Sequence, residues 1–271
     1  MILKRFFDPK AFIKLKEEFT FLINSIKANK DELSITLGNN HIALYFHGIS
    51  FVKIEFSIFG EYEVMIPKSL FPDSLRDNKQ FNFRESASNY FAELNVPLLQ
   101  ELLNESGLEQ FKEKIKPSSL PETILFPHKL IQANKNRNDF IILDRFVTDG
   151  DLKGKRMDMI AVSKNNDMYS LTILQSCLST EGGTESASAG KLQNFMQNVK
   201  RHVEDYKINF KENYKQRYEL GLYDSSFPNT IDINNKILGI LLFPTNITPS
   251  KSLSTNYPDL KILSLSSNFK I

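Results

Sequence analysis

At 271 residues, with 41% hydrophobic and 24% charged side chains, the chain can bury one large core or two small ones and has the balance of a globular protein. Its 34 Lys and Arg against 32 Asp and Glu leave a formal charge of +2, which excludes a strong overall field for nucleic acid or anionic membrane; any such binding must come from a local patch. The single cysteine, Cys177, excludes an intramolecular disulfide, the stretch MILKRFFDPKAFIKLKEEF has no apolar run as long as a signal-peptide core, and no segment approaches a membrane span, so a cytoplasmic protein with no membrane partner is expected.

Asp8 and Pro9 start the first predicted helix as N-cap and first helical residue. Phe12, Leu15, Phe19, Leu22 and Ile26 follow at spacings of three and four, one apolar face of a single helix. From about residue 32 the period becomes two. Leu33, Ile35 and Leu37 alternate with Ser34 and Thr36 before a turn at Gly38, Asn39 and Asn40. Val52, Ile54, Phe56 and Ile58 alternate with Lys53, Glu55 and Ser57, and Tyr62, Val64 and Ile66 follow Gly60. This predicts an antiparallel meander of three or four strands with one wet face. His41 and His47 stand at opposite ends of the strand IALYF with no third ligand spaced to join them, so no metal site is expected there.

Residues 67–95 read as connection with some helix, and 97–115 as one amphipathic helix. The polar break Lys116-Pro117-Ser118-Ser119 then divides an α+β module, residues 1–116, from a second domain, residues 117–271. That domain opens with a helix around ETILFPHKLIQANK that Pro127 starts or interrupts. Strands follow at 140–147, 157–162 and 169–177, then a loop rich in Gly, Ser, Thr and Glu. A long helix begins at Lys191, with Leu192, Phe195, Met196, Val199, Val203, Tyr206, Phe210 and Tyr214 on its apolar face. Strands at 236–244 and 261–266 close the chain, and the whole order predicts an α/β sandwich with a mixed sheet.

Four stretches in this order, NDFIILDRFV, GKRMDMIAV, YSLTILQS, and KLQNFMQNVKRHVEDYK with KILGILLFP after it, carry a resemblance. Together they resemble the PD-(D/E)XK nuclease superfamily, the restriction-endonuclease-like fold, over about residues 118 to 270. The resemblance implies an α/β domain with a mixed central sheet, Mg²⁺-dependent phosphodiester cleavage, and a site built from an acid on the second strand and an acid-x-Lys pair on the third. Asp158 falls on the second-strand acid, whereas the third-strand positions are Ile173 and Gln175.

The chemistry says what that substitution costs. Carboxylates hold Mg²⁺, which polarises the phosphate and acidifies the attacking water, while the Lys positions that water. Gln175 can still orient a water, but Ile173 cannot ligate a hard cation. If the metal contributes several kcal/mol, its loss costs several powers of ten in rate at about 1.4 kcal/mol each.

The candidate catalytic residues are therefore Asp158, Gln175 and Glu122, the last corresponding to the helix acid of some family members or simply favouring a helix N-terminus after Pro121. Asp158 is the candidate metal ligand, and Mg²⁺ is expected to bind weakly or not at all. Asp144, Glu181 and Glu185 could supply a migrated carboxylate, although Asp144 with Arg145 also reads as a surface ion pair. Lys155 and Arg156 could partner Asp158 or phosphates. Between Lys191 and Arg217 the long helix carries Lys191, Lys200, Arg201, Lys207, Lys211, Lys215 and Arg217 against Glu204, Asp205 and Glu212, and Lys200 and Arg201 are the expected phosphate contacts beside the cleft.

The expectation is a nuclease-fold protein with an incomplete metal site that binds nucleic acid, DNA ahead of RNA, without efficient cleavage. Two alternatives stand beside it: an active Mg²⁺-dependent deoxyribonuclease of defence or repair with a rearranged site, and a protein interaction module. For the first 116 residues, substrate recognition or homodimer formation is expected by analogy of architecture alone.

Overall fold

The structure, a computed structural model, describes residues 4–56, 61–76, 78–148, 156–266 and 269–271. Contacts divide the chain into two compact units, Arg5–Leu120 and Pro121–Ile271.

In the first unit Pro9 does open a helix, but the stripe from Phe12 to Ile26 belongs to two, α1 (Pro9–Glu18) and α2 (Thr20–Ala28), which meet at Phe19 with φ −109° and ψ 19°. Thr20 Oγ1 donates back to Lys16 O at 3.0 Å, a side-chain bond that competes with helix geometry at the break. Burial continues through it: Leu15, Phe19, Leu22 and Ile26 are all inside. The sheet has six strands: β1 (Leu33–Gly38), β2 (His41–Phe46), β3 (Ile49–Phe56), β4 (Tyr62–Pro67), β5 (Arg84–Glu85) and β6 (Asn89–Leu94). Their spatial order is β1-β2-β3-β4-β6-β5, antiparallel throughout. The predicted meander is therefore only part of the sheet. Residues 84–94, expected as connection, supply two more strands, because Ala92 and Leu94 bury opposite Val64 and Tyr62 on β4. The predicted Ile58 strand end and Gly60 turn lie outside the described residues.

The helix expected over 97–115 is likewise two, α3 (Val96–Leu103) and α4 (Glu105–Lys114). Asn104 separates them with an extended ψ of 177° and caps the second, its side chain accepting from Gly107 N at 2.8 Å. Phe19 packs its ring 4.8 Å from those of both Phe56 and Tyr62 at the centre of this core.

The second unit is three layers around a five-stranded sheet. It comprises α5 (Glu122–Asn134), β7 (Phe140–Thr148), β8 (Arg156–Asn165), β9 (Met168–Ser176), α6 (Thr184–Arg201), α7 (Val203–Glu219), β10 (Ile233–Phe243), α8 (Lys251–Asn256) and β11 (Leu260–Ser264). Pro127 neither starts nor ends α5 but lies inside it. The strands stand in sequence order, β7 to β11. β8 is antiparallel to both neighbours, while β9, β10 and β11 are parallel. Parallel neighbours need a crossover, and α6 with α7 provides it between β9 and β10.

Successive strand residues point to opposite faces, and through the middle of the sheet the two cores follow that rule. Ile160, Val162, Leu171, Ile173 and Leu241 pack with Leu192, Phe195, Met196, Tyr206 and Phe210 of α6 and α7. Met159, Ala161, Leu174, Ile240 and Leu242 pack with Phe126 and Leu130 of α5 on the other face. The long helix predicted from Lys191 starts earlier, at Thr184, and breaks at His202 (φ −123°, ψ 30°) while its apolar stripe runs on. No helix among the described residues is long and apolar enough to cross a membrane.

Candidate functional site

The polar groups that share a face with the α6 core cluster at one end of the sheet, where β7 and β9 finish and β8 begins. Register places them. Asp144 on β7 pairs with Ile160 on β8, and Ile160 pairs with Ile173 on β9, which in turn pairs with Gly239 on β10. Partners across a sheet share a face, so these four positions form one line on the face that α6 and α7 cover. Two residues further along, on the same face, come Asp158 and Gln175.

Asp158 is buried, 9% exposed, and an ionised carboxylate there is costly unless it is hydrogen-bonded. Its Oδ2 accepts from Ser176 N at 2.7 Å, from Gln175 Nε2 at 3.1 Å and from the Ser176 hydroxyl. Gln175 Nε2 also donates to Ser176 O at 3.0 Å, and Gln175 Oε1 accepts from Lys191 Nζ on α6 at 3.1 Å. These neighbours determine which way the amide points: its NH₂ must meet acceptors and its carbonyl a donor, so reversing it would oppose like groups at both ends. The result is a chain of carboxylate, amide and ammonium across β8, β9 and α6.

Lys191 reaches the strand because α6 lies close to the sheet. A Cβ at Gly239 would stand 2.1 Å from Met196 Sδ and 2.8 Å from a Leu260 methyl, so glycine at this point lets the helix settle onto β10.

Of the residues expected from sequence, Asp158 and Gln175 are thus brought together. Ile173 is fully buried among apolar side chains and offers nothing to a cation. Glu122 is exposed in the first turn of α5, on the helix that covers the opposite face of the sheet, so it is not joined to Asp158. Arg156 is exposed with its guanidinium 4.4 Å from the Phe146 ring centre, and Lys155 lies outside the described residues. Lys200 and Arg201 are exposed in the last turn of α6; nine residues beyond Lys191 at 1.5 Å each, Lys200 is about 14 Å further along the axis. They are not beside Asp158, because two and a half turns of helix separate them from the end of α6 that meets Gln175.

Asp144 and Arg145 are not a surface pair: both are buried, and Asp144 Oδ1 accepts from Arg145 N at 2.8 Å. Glu185 is buried in the first turn of α6, where its carboxylate accepts from Ser250 N at 3.2 Å and ties the helix to the start of α8. Glu181 is exposed in a short turn before α6. Cys177 is buried; burial pushes its thiol up from the ordinary value and Sγ bonds Ser179 O at 3.1 Å, the environment of an inert core thiol.

Sequence reasoning missed Ser176 and the role of Lys191. The signal for Lys191 was its place at the edge of the apolar stripe, next to Leu192, on the helix that follows β9. Against the Mg²⁺ that the resemblance implies, the donor set fits poorly. Asp158 Oδ2 is already taken up by three donors, Ile173 has no ligand atom, and no group of three His, Cys, Asp or Glu among the described residues could hold a metal ion. Comparison with protein families, curated proteins and solved structures gives no match for this chain.

Proposed function

We propose that residues 121–271 form a nuclease-fold module of the PD-(D/E)XK type whose metal site is incomplete, and that it binds nucleic acid, DNA ahead of RNA, without efficient cleavage. The observation that carries this is the pairing of Asp158 with Gln175 on adjacent strands while Ile173, where the resemblance implies the second acid, is sealed in the core. The element order of helix, three strands, helix and two strands, with a mixed sheet, supports the same reading. So does the location of the polar cluster at the carboxyl end of β9, the end of an open α/β sheet where ligands bind. Mg²⁺ is bound weakly if it binds at all, and a duplex lying along α6 would meet Lys200 and Arg201 as outer contacts.

The test is direct. Purified protein should retain labelled duplex DNA at low salt and leave supercoiled plasmid intact in Mg²⁺ or Mn²⁺. Nicking that disappears in Asp158→Ala would overturn it.

One observation favours a second reading, an active Mg²⁺-dependent deoxyribonuclease with a rearranged site: Asp144 shares the sheet face of Asp158 on the neighbouring strand, so a second carboxylate is at hand. Calorimetry separates the two. Saturable micromolar Mg²⁺ binding lost in both Asp144→Asn and Asp158→Ala belongs to the enzyme, and its absence to the binding module.

A further inference from the structure

Within the first unit a cleft of about 290 Å³ lies at the corner where α3 turns into α4, with residues of the segment 74–81 in its wall. Small-molecule sites start at about 300 Å³, so an occupant must be small. The corner is tight: a Cβ at Gly107 would stand 2.1 Å from Leu102 O, so glycine lets the first turn of α4 close onto the end of α3.

Three carboxamides line this cleft, and each has its carbonyl end committed. Asn78 Oδ1 accepts from Gln80 N at 3.1 Å, and Asn104 Oδ1 accepts from Gly107 N at 2.8 Å as the cap of α4. A backbone N–H can only donate, so neither of these two side chains can be turned round. Gln110 Oε1 accepts from the Ser74 hydroxyl. Each carboxamide thus keeps an NH₂ branch, and none of the three branches has an acceptor among the described residues. Glu101 stands in the same wall; its Oε2 accepts from Gln80 Nε2 at 3.0 Å, and its Oε1 has no donor among the described residues.

Donors without acceptors beside a carboxylate oxygen without a donor match a ligand whose atoms both accept and donate, and a hydroxyl is such a group. Charge and shape exclude other classes. Of the described residues lining the cleft, Glu101 alone is ionised, so a phosphate or carboxylate is repelled. A hard cation needs oxygen ligands, and the three amide oxygens are already taken by donors. The rings in the wall, Phe81 and Phe111, are 2% and 1% exposed and present no face for a nucleobase to stack on. Hydroxyls on adjacent carbons would reproduce the hydrogen bonds of the water they displace, while the carbon frame covers Leu75 and Leu102.

We propose that this cleft binds a small neutral polyol of monosaccharide size, whose hydroxyls accept from the NH₂ groups of Asn78, Asn104 and Gln110 and donate to Glu101. The site lies wholly within residues 5–120, is independent of the nucleic-acid reading of the second unit, and gives the first unit a ligand of its own.

The experiment is proton–nitrogen correlation NMR on the full chain, following the side-chain NH₂ signals of Asn78, Asn104 and Gln110. The probes are glucose, galactose, ribose and myo-inositol, with glucuronate as the anionic counterpart of glucose. At least one neutral polyol should shift all three signals saturably, with a Kd in the millimolar range, and glucuronate should bind more weakly than glucose. Asn78→Ser and Asn104→Ser each keep an oxygen for the backbone N–H and remove the NH₂ branch, so they should melt like wild type and weaken polyol binding about tenfold. Gln110→Leu, a good helix former, supplies the same test where a Ser variant is destabilised. Absence of shifts with every neutral probe overturns the proposal, as does wild-type affinity in variants that melt like wild type. Tighter binding of glucuronate than of glucose overturns the neutral class.

Discussion

The six-stranded sheet of residues 5–120 and the five-stranded sheet of residues 121–271 treat polar side chains in opposite ways. In the first, β1 and β4 alternate between buried and half-buried positions, and the charged groups on the wetter side meet at the surface, as Lys53 does with Glu55 and Arg84 with Glu93. In the second, β9 is buried along almost its whole length and β8 from Met157 to Val162, because helices cover both faces. Polar groups on the open sheet can keep water as a partner. Those on the covered sheet must find partners in the protein or cost several kcal/mol each. Asp158, Gln175, Ser176 and Lys191 meet that requirement by bonding one another, which is why a chemically distinctive cluster stands out in one sheet and not in the other.

The harshest way to break this contrast is to add a charge to the covered sheet. Ile173→Glu, which places an acid where the resemblance implies one, should cost about 4 kcal/mol or more in chemical denaturation, since it buries a carboxylate in apolar packing. A loss below about 1 kcal/mol would mean that water reaches this face.

Removing a charge from the cluster comes next. Asp158→Ala leaves the Ser176 N–H, the Ser176 hydroxyl and the Gln175 amide without their acceptor, and should cost about 3 kcal/mol. Asn at 158 should recover only part of that loss, because a neutral amide oxygen is a weaker acceptor than a carboxylate.

A polar pair on the rim of the same unit should matter less. Arg137 grips Asp139 with two bonds, Nε to Oδ1 at 2.9 Å and Nη2 to Oδ2 at 2.6 Å, and holds the Asp139 carboxyl below its ordinary range. A carboxyl whose folded pKa is depressed contributes stability above its unfolded value, near 3.9, and that contribution is lost as pH falls through the folded value. Asp139→Asn should therefore cost about 1 kcal/mol or less at neutral pH, since the pair is partly exposed, and should flatten the acid limb of the stability profile below about pH 4.

The smallest effect belongs to the open sheet. Glu63 on β4 stands opposite Glu93 on β6, two like charges facing across a strand pair. Glu63→Gln should shift stability by no more than about 0.5 kcal/mol, in the stabilising direction, as read from the denaturant midpoint. A large loss would show that this face relies on protein partners as the covered sheet does.

What the sequence determined by itself was local. Alternation of two along Leu33–Leu37 and Val52–Phe56, and the spacing of three and four from Leu192 to Tyr214, placed strands and apolar helix faces where the structure has them, because one element's burial leaves its period in the chain. The absence of a ligand at Ile173 was equally legible, since side-chain chemistry needs no fold to be read. The breaks at Phe19, Asn104 and His202 were not, because the apolar stripes run on through the first and last, and a backbone kink leaves burial unchanged. Nor was β6, whose short run becomes a strand only when β4 lies beside it. Only the tertiary structure decided that Lys191 meets Gln175 sixteen residues away, and that Lys200 does not come near. That contact depends on how closely α6 settles against β10 over Gly239, a distance set by packing between elements and recorded in neither one alone.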